Sequence, residues 1–125
     1  MPDHPHRLIH ADMDCIFCKI AAGSIPADIV FSDNDLIAFR DINPQAPVHV
    51  IIIPRNHIPA VNDLSEADQV LAGRMILAAK KVAQQEKIGI SGYRISINCG
   101  PDGTQVVPHI HLHLLGGHML TAELG

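Results

Sequence analysis

The chain has 125 residues, 47% hydrophobic and 18% charged, which suits one compact domain and argues against disorder or a multi-domain enzyme. Nine Lys and Arg against thirteen Asp and Glu give a net charge of -4, and no basic run exceeds two residues, so nothing offers an electrostatic footprint for nucleic acid. With three Phe, one Tyr and no Trp, too few rings are present to stack the bases of a single strand.

Residues 1 to 13 carry His4, His6 and His10 without a sustained period and are expected to form a loose, solvated arm; residues 14 to 125 are expected to form a single domain. The arm has charges and His where a signal peptide needs about 7 to 15 apolar residues, and no run approaches the roughly 18 of a membrane span. A cytoplasmic protein with no membrane contact is expected. The three cysteines, Cys15, Cys18 and Cys99, are odd in number and two form a C-x-x-C, a pattern that fits metal or redox chemistry better than a disulfide framework. No task is assigned to Cys99.

Residues 14 to 22, DCIFCKIAA, predict a short helix presenting Ile16, Phe17 and Ile20, stopped by Gly23 and Pro26. IVF (29 to 31) and LIAFR (36 to 40) flank a turn cluster, Ser32 to Asp35, and predict a hairpin. After a Pro-braced loop, VHVIIIP (48 to 54) is a strand of branched residues with one polar member, His49. Ser65 and Asp68 resemble a capping box, and Leu71, Met75, Ala78 and Val82 recur at helical spacing up to Gln85, predicting one long helix with an apolar core stripe. YRISIN (93 to 98) and VVPHIHLHLLGG (106 to 117) alternate as strands around a Gly-rich loop, CGPDGTQ (99 to 105). The fold class is α+β.

The most informative run is the last. On a strand, His109, His111 and His113 would line one side at steps of about 6.7 Å while Ile110, Leu112 and Leu114 line the other. Packing alone does not explain three imidazoles on one wall, because each unpaired buried polar group costs about 1 to 3 kcal/mol. His-x-His on a strand is also a metal-ligand spacing, so a metallohydrolase holding a catalytic metal on all three is one alternative.

His109-Ile110-His111-Leu112-His113-Leu114-Leu115 resembles the signature of the histidine triad (HIT) family, and the resemblance extends from DCIFCKI through FRDINPQAPVHVIIIP and GYRISIN to HIHLHLLGG. Those segments are similar to the nucleotide-binding HINT branch of that family, whose members are purine nucleoside phosphoramidases. The resemblance implies a HIT-like fold: an antiparallel sheet of about five strands with one long and one short helix, extended across a homodimer. It implies a purine nucleotide substrate, an adenosine or guanosine 5'-phosphoramidate, cleaved at its P-N bond through a nucleotidyl-histidine. A dinucleoside polyphosphate hydrolase is the neighbouring alternative, and a non-enzymatic nucleotide-binding module a further one.

By the same resemblance His111 is the nucleophile on the α-phosphorus, His113 a donor to a non-bridging oxygen, and His49 the fourth histidine of the site. A neutral imidazole suits nucleophilic attack near pH 7. Asp41 matches the ribose-hydroxyl acceptor and Asn98 a phosphate-side contact, while Phe17, Ile20, Phe39, Ile42 and Ile51 match the walls of the base site. The loop after Asn98 is expected to aim backbone N-H groups at the phosphate, with Thr104 standing where the pattern commonly has Gly and Val106 where several members have Ser.

Some HIT proteins bind structural zinc with a C-x-x-C and two histidines, which here implies Cys15, Cys18, His57 and His109. A Cys2His2 set saturates a tetrahedral zinc, so such a metal would be structural and no catalytic metal is expected.

Overall fold

A computed structural model of the chain describes residues 11 to 123; His4, His6 and His10 and the rest of the expected arm up to residue 10 lie outside the described residues. Its regular elements in chain order are α1 (Ile16–Ala21), β1 (Ile29–Ser32), β2 (Leu36–Arg40), β3 (Val48–Pro54), α2 (Gln69–Gln85), β4 (Tyr93–Ser96) and β5 (Leu112–Gly116). The five strands form one sheet in the order β1-β2-β3-β5-β4, and every neighbouring pair is antiparallel. This is the α+β architecture expected, with one short and one long helix.

Local chemistry explains the elements. Asp33 closes the β1–β2 turn by accepting the N-H groups of Asp35 and Leu36, each at 2.8 Å. The Ser65–Asp68 capping box is present, and it opens a 3-10 turn, Glu66–Asp68, that runs on into α2. The expected stripe of Leu71, Met75, Ala78 and Val82 is buried, joined by Ala79 and Ala83.

Alternation along the strands divides the interior into two layers. Leu36 and Ala38 of β2, Val50 and Ile52 of β3, and Leu112 and Leu114 of β5 pack with α2. Ile37, Phe39, Ile51 and Ile53 face the other way, against Phe17, Cys15 and Cys18 around α1. Each buried Ile, Leu or Phe contributes about 1.5 to 3 kcal/mol, so a one-residue slip in register would exchange the two layers at large cost. His49 and His113 belong by the same alternation to the α1 side, which is therefore the side of the site.

One expectation is corrected. The final strand was to begin near residue 106, but β5 begins at Leu112, so His109 and His111 lie on the chain leading into it rather than in the ladder. Pro108 has no N-H to donate, and the Ile110 N-H goes to the carbonyl of Ile58 at 2.7 Å, outside the sheet. The three imidazoles consequently do not form one evenly spaced wall. At the far end of β5, Gly117 (φ 99°) lets the loop of residues 41 to 47 close onto the sheet: a Cβ there would stand 2.8 Å from the Pro47 side chain.

Candidate active site and metal centre

Antiparallel β3 and β5 bring two of the histidines together. His49 lies on β3, with its neighbour Ile51 paired to His113 of β5, and the two rings meet with His49 Nε2 2.9 Å from His113 Nδ1. Which nitrogens carry protons follows from their other partners. The Gln45 backbone N-H donates to His49 Nδ1 at 3.1 Å, so that nitrogen is an acceptor and the proton of a neutral His49 sits on Nε2. His49 Nε2-H therefore donates to His113 Nδ1, which leaves the His113 proton on Nε2, the far side of its ring.

His111 is fixed from another direction. Its Nδ1 donates to the carbonyl oxygen of His109 at 2.7 Å, so the lone pair is on Nε2. The His111 and His113 rings are 4.9 Å apart, edge to face. A nitrogen lone pair thus stands beside an N-H donor, the pairing needed to attack an electrophilic centre while stabilising charge on its oxygens. Burial pushes all three groups toward neutrality: it lowers the pKa of His49 and His111, and lowers His113 to about 4, with the nearby His111 and His49 adding to the effect and Asp41 opposing it.

Asp41 lies at the mouth of this chain. Its Oδ1 accepts the Asn43 N-H at 2.8 Å, a turn-forming contact, while Oδ2 stands 3.5 Å from His49 Nε2. Phe17, Phe39 and Ile51 are buried together, with Ile20 packed against them, and Phe17 meets the His111 ring edge-on at 5.0 Å. Ile42 is 91% exposed and Val106 87% exposed, so neither is yet part of a closed wall. Asn98 lies just past the end of β4, whose last residue, Ser96, pairs with His113, and its Nδ2 donates to the Gly103 carbonyl at 2.7 Å. Thr104, exposed, follows directly.

The second cluster is the one expected for a metal. Ligand atoms of Cys15, Cys18, His57 and His109 lie within 4.8 Å of one another. Cys15 Sγ and Cys18 Sγ are 3.3 and 3.5 Å from His109 Nδ1, Cys18 Sγ is 3.3 Å from His57 Nδ1, and the two Nδ1 atoms are 3.2 Å apart. Tetrahedral donors about 2.0 to 2.3 Å from a zinc are separated by about 3.3 to 3.8 Å, so this donor set fits the ion. His109 Nε2 donates to the carbonyl of Pro54 at 2.8 Å, which leaves Nδ1 free to ligate, as an outer partner should. Burial lowers His109 to about 4, opposed by that same bond.

Asp12 was expected within the loose arm, yet it is part of this cluster's surroundings. Its N-H donates to Cys18 Sγ at 3.3 Å, its carbonyl accepts the Cys15 N-H at 2.9 Å, and its Oδ2 is 3.9 Å from His57 Nε2. Two of these contacts are made by backbone, for which no side-chain pattern in the sequence is a signal. Gln105 was missed for a similar reason: it accepts the Gly100 N-H at 3.0 Å and donates to the Pro59 and Val107 carbonyls at 2.7 and 2.9 Å, tying the Gly-rich loop to the segment that carries His57.

The triad histidines are thus shared among different tasks. His109 joins the cysteine cluster, His113 groups with Asp41 and His49, and His111 belongs to neither set, which removes the basis for one metal held by all three. The Asp41 group is itself a poor metal site: ligation through His49 Nε2 would place the proton on Nδ1, facing the Gln45 N-H.

The chain is similar to known proteins along most of its length. Residues 22–120 match the family described as the HIT domain. The chain is 51% identical over 107 residues to the purine nucleoside phosphoramidase of Escherichia coli (strain K12), covering 86% of this chain and 90% of that protein. Among solved structures, a HIT family hydrolase from Legionella pneumophila Philadelphia 1 is similar with a TM-score of 0.87 and 50% identity, covering 89% of this chain and 99% of that one. A histidine triad protein from Clostridium difficile is similar with a TM-score of 0.88 and 37% identity, covering 90% and 98%.

Proposed function

The chain belongs to the histidine triad (HIT) family, and from that premise we propose that it is a purine nucleoside phosphoramidase, a hydrolase acting on phosphorus-nitrogen bonds. The observation that carries this is the fixed lone pair on His111 Nε2 beside the N-H of His113. His111 Nε2 attacks the α-phosphorus of an adenosine or guanosine 5'-phosphoramidate; the P-N bond to the amine breaks as the P-N bond to His111 forms, and the departing nitrogen takes up from solvent the proton that water gives back in the second step. Water then displaces His111, releasing the nucleoside monophosphate and restoring the imidazole. Splitting one displacement into two lets the same residue act in both halves.

In this reading His113 donates to a non-bridging oxygen and His49, through the chain from Gln45, keeps its proton on the correct side. Asp41 accepts from the ribose hydroxyls. The purine lies against Phe17, Ile20, Phe39, Ile42 and Ile51, while Asn98 and the backbone from Gly103 to Val106 meet the phosphate. The two exposed apolar side chains, Ile42 and Val106, gain a reason if bound nucleotide covers them.

The metal is zinc, held by Cys15, Cys18, His57 and His109, and it supplies a structural cross-link between the start of α1 and the chain that carries the nucleophile. The protein acts as a homodimer. Supporting this, β4 is a sheet edge, and the outer side of α2 exposes Val70, Ile76 and Leu77 while Ile90 nearby is fully exposed. No helix among the described residues is long and apolar enough to cross a membrane, and the three cysteines are unpaired, which supports a cytoplasmic setting.

The deciding experiment is mass spectrometry of protein quenched during turnover of adenosine 5'-phosphoramidate, with rates compared against a diadenosine polyphosphate. A nucleotidyl adduct on His111 and faster cleavage of the phosphoramidate are expected. Faster cleavage of the polyphosphate moves the assignment to that branch, and tight AMP binding without turnover of either compound makes the protein a binding module.

A further inference from the structure

The side-chain amide of Gln105 is committed at both ends to main-chain groups. Its Oε1 accepts the Gly100 N-H at 3.0 Å, and its Nε2 donates to the Val107 carbonyl at 2.9 Å and to the Pro59 carbonyl at 2.7 Å. The first two bonds stay beside the Gly-rich loop, whereas the third reaches 46 residues back along the chain. The loop itself is tightly closed. Thr104 N-H donates to the Pro101 carbonyl and Gln105 N-H to the Gly100 carbonyl, each at 3.0 Å, and a Cβ on Gly103 would stand 2.4 Å from the Cys99 carbonyl oxygen. A loop so closed moves as a unit, and the Gln105 side chain sets where it stands. Leucine would fill the space without a bond, and glutamate would turn a carboxylate toward two carbonyl oxygens, so the bonds require an amide.

The far end of that third bond lies two residues after His57, a member of the Cys/His cluster. The path between them is short and stiff: Pro59 has a fixed φ, and Ile58, standing before a proline, is restricted to extended backbone. The Ile58 carbonyl accepts the Ile110 N-H at 2.7 Å, and the residue before Ile110 is His109, whose Nδ1 is 3.2 Å from that of His57. Four donors drawn to about 2.0 to 2.3 Å from one ion would fix His57 against His109 and the two cysteines. The bond from Gln105 to Pro59 therefore connects the metal cluster to the Gly-rich loop. Two ligands that order the same stretch of chain favour each other, and the coupling is reciprocal.

We propose that Gln105 is a positioning residue that couples the two sites, so that a divalent metal in the cluster of Cys15, Cys18, His57 and His109 and a nucleotide phosphate at the Gly-rich loop each strengthen the binding of the other. This rests on the nucleotide and zinc readings above and adds a regulation to them: metal occupancy sets the affinity for the phosphate. The part of the ligand that senses the metal is the phosphate, because the loop is what Gln105 holds.

The test measures zinc affinity of the full chain by competition with a chromophoric chelator, in the absence of nucleotide, with saturating AMP, and with saturating adenosine, which lacks the phosphate. In the wild type AMP is expected to tighten zinc by about 5- to 10-fold and adenosine to leave it unchanged. In Gln105→Leu the effect of AMP on zinc should vanish, and calorimetry should find AMP weakened by a similar factor while adenosine binds as before. A purely structural defect would weaken both compounds together. Equal zinc affinity with and without AMP in the wild type overturns the proposal, as does equal tightening by adenosine. Tightening by AMP that survives in Gln105→Leu overturns it too, because attraction between the charges at the two sites would then be the cause. Should Gln105→Leu melt too low to assay, the wild-type comparison of AMP with adenosine decides. Protein that takes up no zinc overturns the metal reading, and protein that binds no AMP the nucleotide reading, each carrying this proposal with it.

Discussion

The Nδ1-H of His111 donates to the main-chain carbonyl of His109, 2.7 Å away, while the side chain of His109 faces the two cysteines. One residue therefore joins two groups: its imidazole completes the cluster of Cys15, Cys18 and His57, and its carbonyl sets the tautomer of His111. Phe17, between Cys15 and Cys18 in sequence, stacks edge-on against both rings, at 5.9 Å from His109 and 5.0 Å from His111. The Cys/His cluster and His111 thus meet around one ring.

Replacing the nucleophile should separate chemistry from binding. His111→Ala is expected to lower turnover by ~1000-fold or more while calorimetry still detects AMP and the melting temperature moves little. Substantial residual turnover would remove His111 from the role.

His49 and His113 should behave as one unit, because His49 Nε2-H fixes the proton position of His113. Each alanine variant is expected to lose about 10- to 1000-fold in kcat, the range for one transition-state donor. The double variant should lose scarcely more than the worse single one. Additive losses in the cycle would mean that the two act separately.

Metal analysis of protein purified without chelator should find about one zinc per chain, and Cys15→Ser combined with Cys18→Ser should abolish it. The double variant is expected to melt markedly lower, since binding energy at such a site is folding energy. Zinc-free protein as isolated would defeat the assignment. Complete inactivation by chelator with no change in melting would instead indicate a catalytic ion.

Asp12→Asn keeps the main-chain bonds to the cysteines and removes the carboxylate charge 3.9 Å from His57 Nε2. Competition with a chromophoric chelator should show zinc held about 10-fold more weakly, as for loss of an outer partner. Unchanged affinity would confine Asp12 to its backbone role.

The depressed pKa of His113 sets a sign for acid stability. Unfolded, this group takes up a proton near its ordinary value of 6.5, whereas the folded state holds it neutral down to about 4, with His111, His49 and Asp41 facing it. The unfolded state binds more protons between those values, so the His113 contribution is present above pH 6.5 and falls away as pH drops toward 4. Melting temperature should decline across that window, and less steeply in His113→Gln. Equal slopes would show that other groups carry the acid sensitivity.

The amino-acid order alone determined the hairpin, the branched strand VHVIIIP, the long helix with its capping box and the α+β class. Each of these is written in local periodicity or turn chemistry, which needs no distant partner. The resemblance carried by HIHLHLL pointed to the histidines and implied a Cys2His2 set, and the structure brings Cys15, Cys18, His57 and His109 within reach of one another. Periodicity misled at the same place. The alternation from residue 106 to 117 reads as one strand, but Pro108 and the bond from Ile110 to Ile58 keep His109 and His111 out of the sheet, because pairing depends on which backbone is opposite. Only the folded chain decided that Asp12 borders the cysteine and histidine cluster, that Gln105 clamps the Gly-rich loop, and which nitrogens of His49, His111 and His113 hold the proton. Those are facts of backbone carbonyls and N-H groups meeting across long stretches of sequence. Every residue but proline carries both groups, so no one-dimensional pattern marks where they meet.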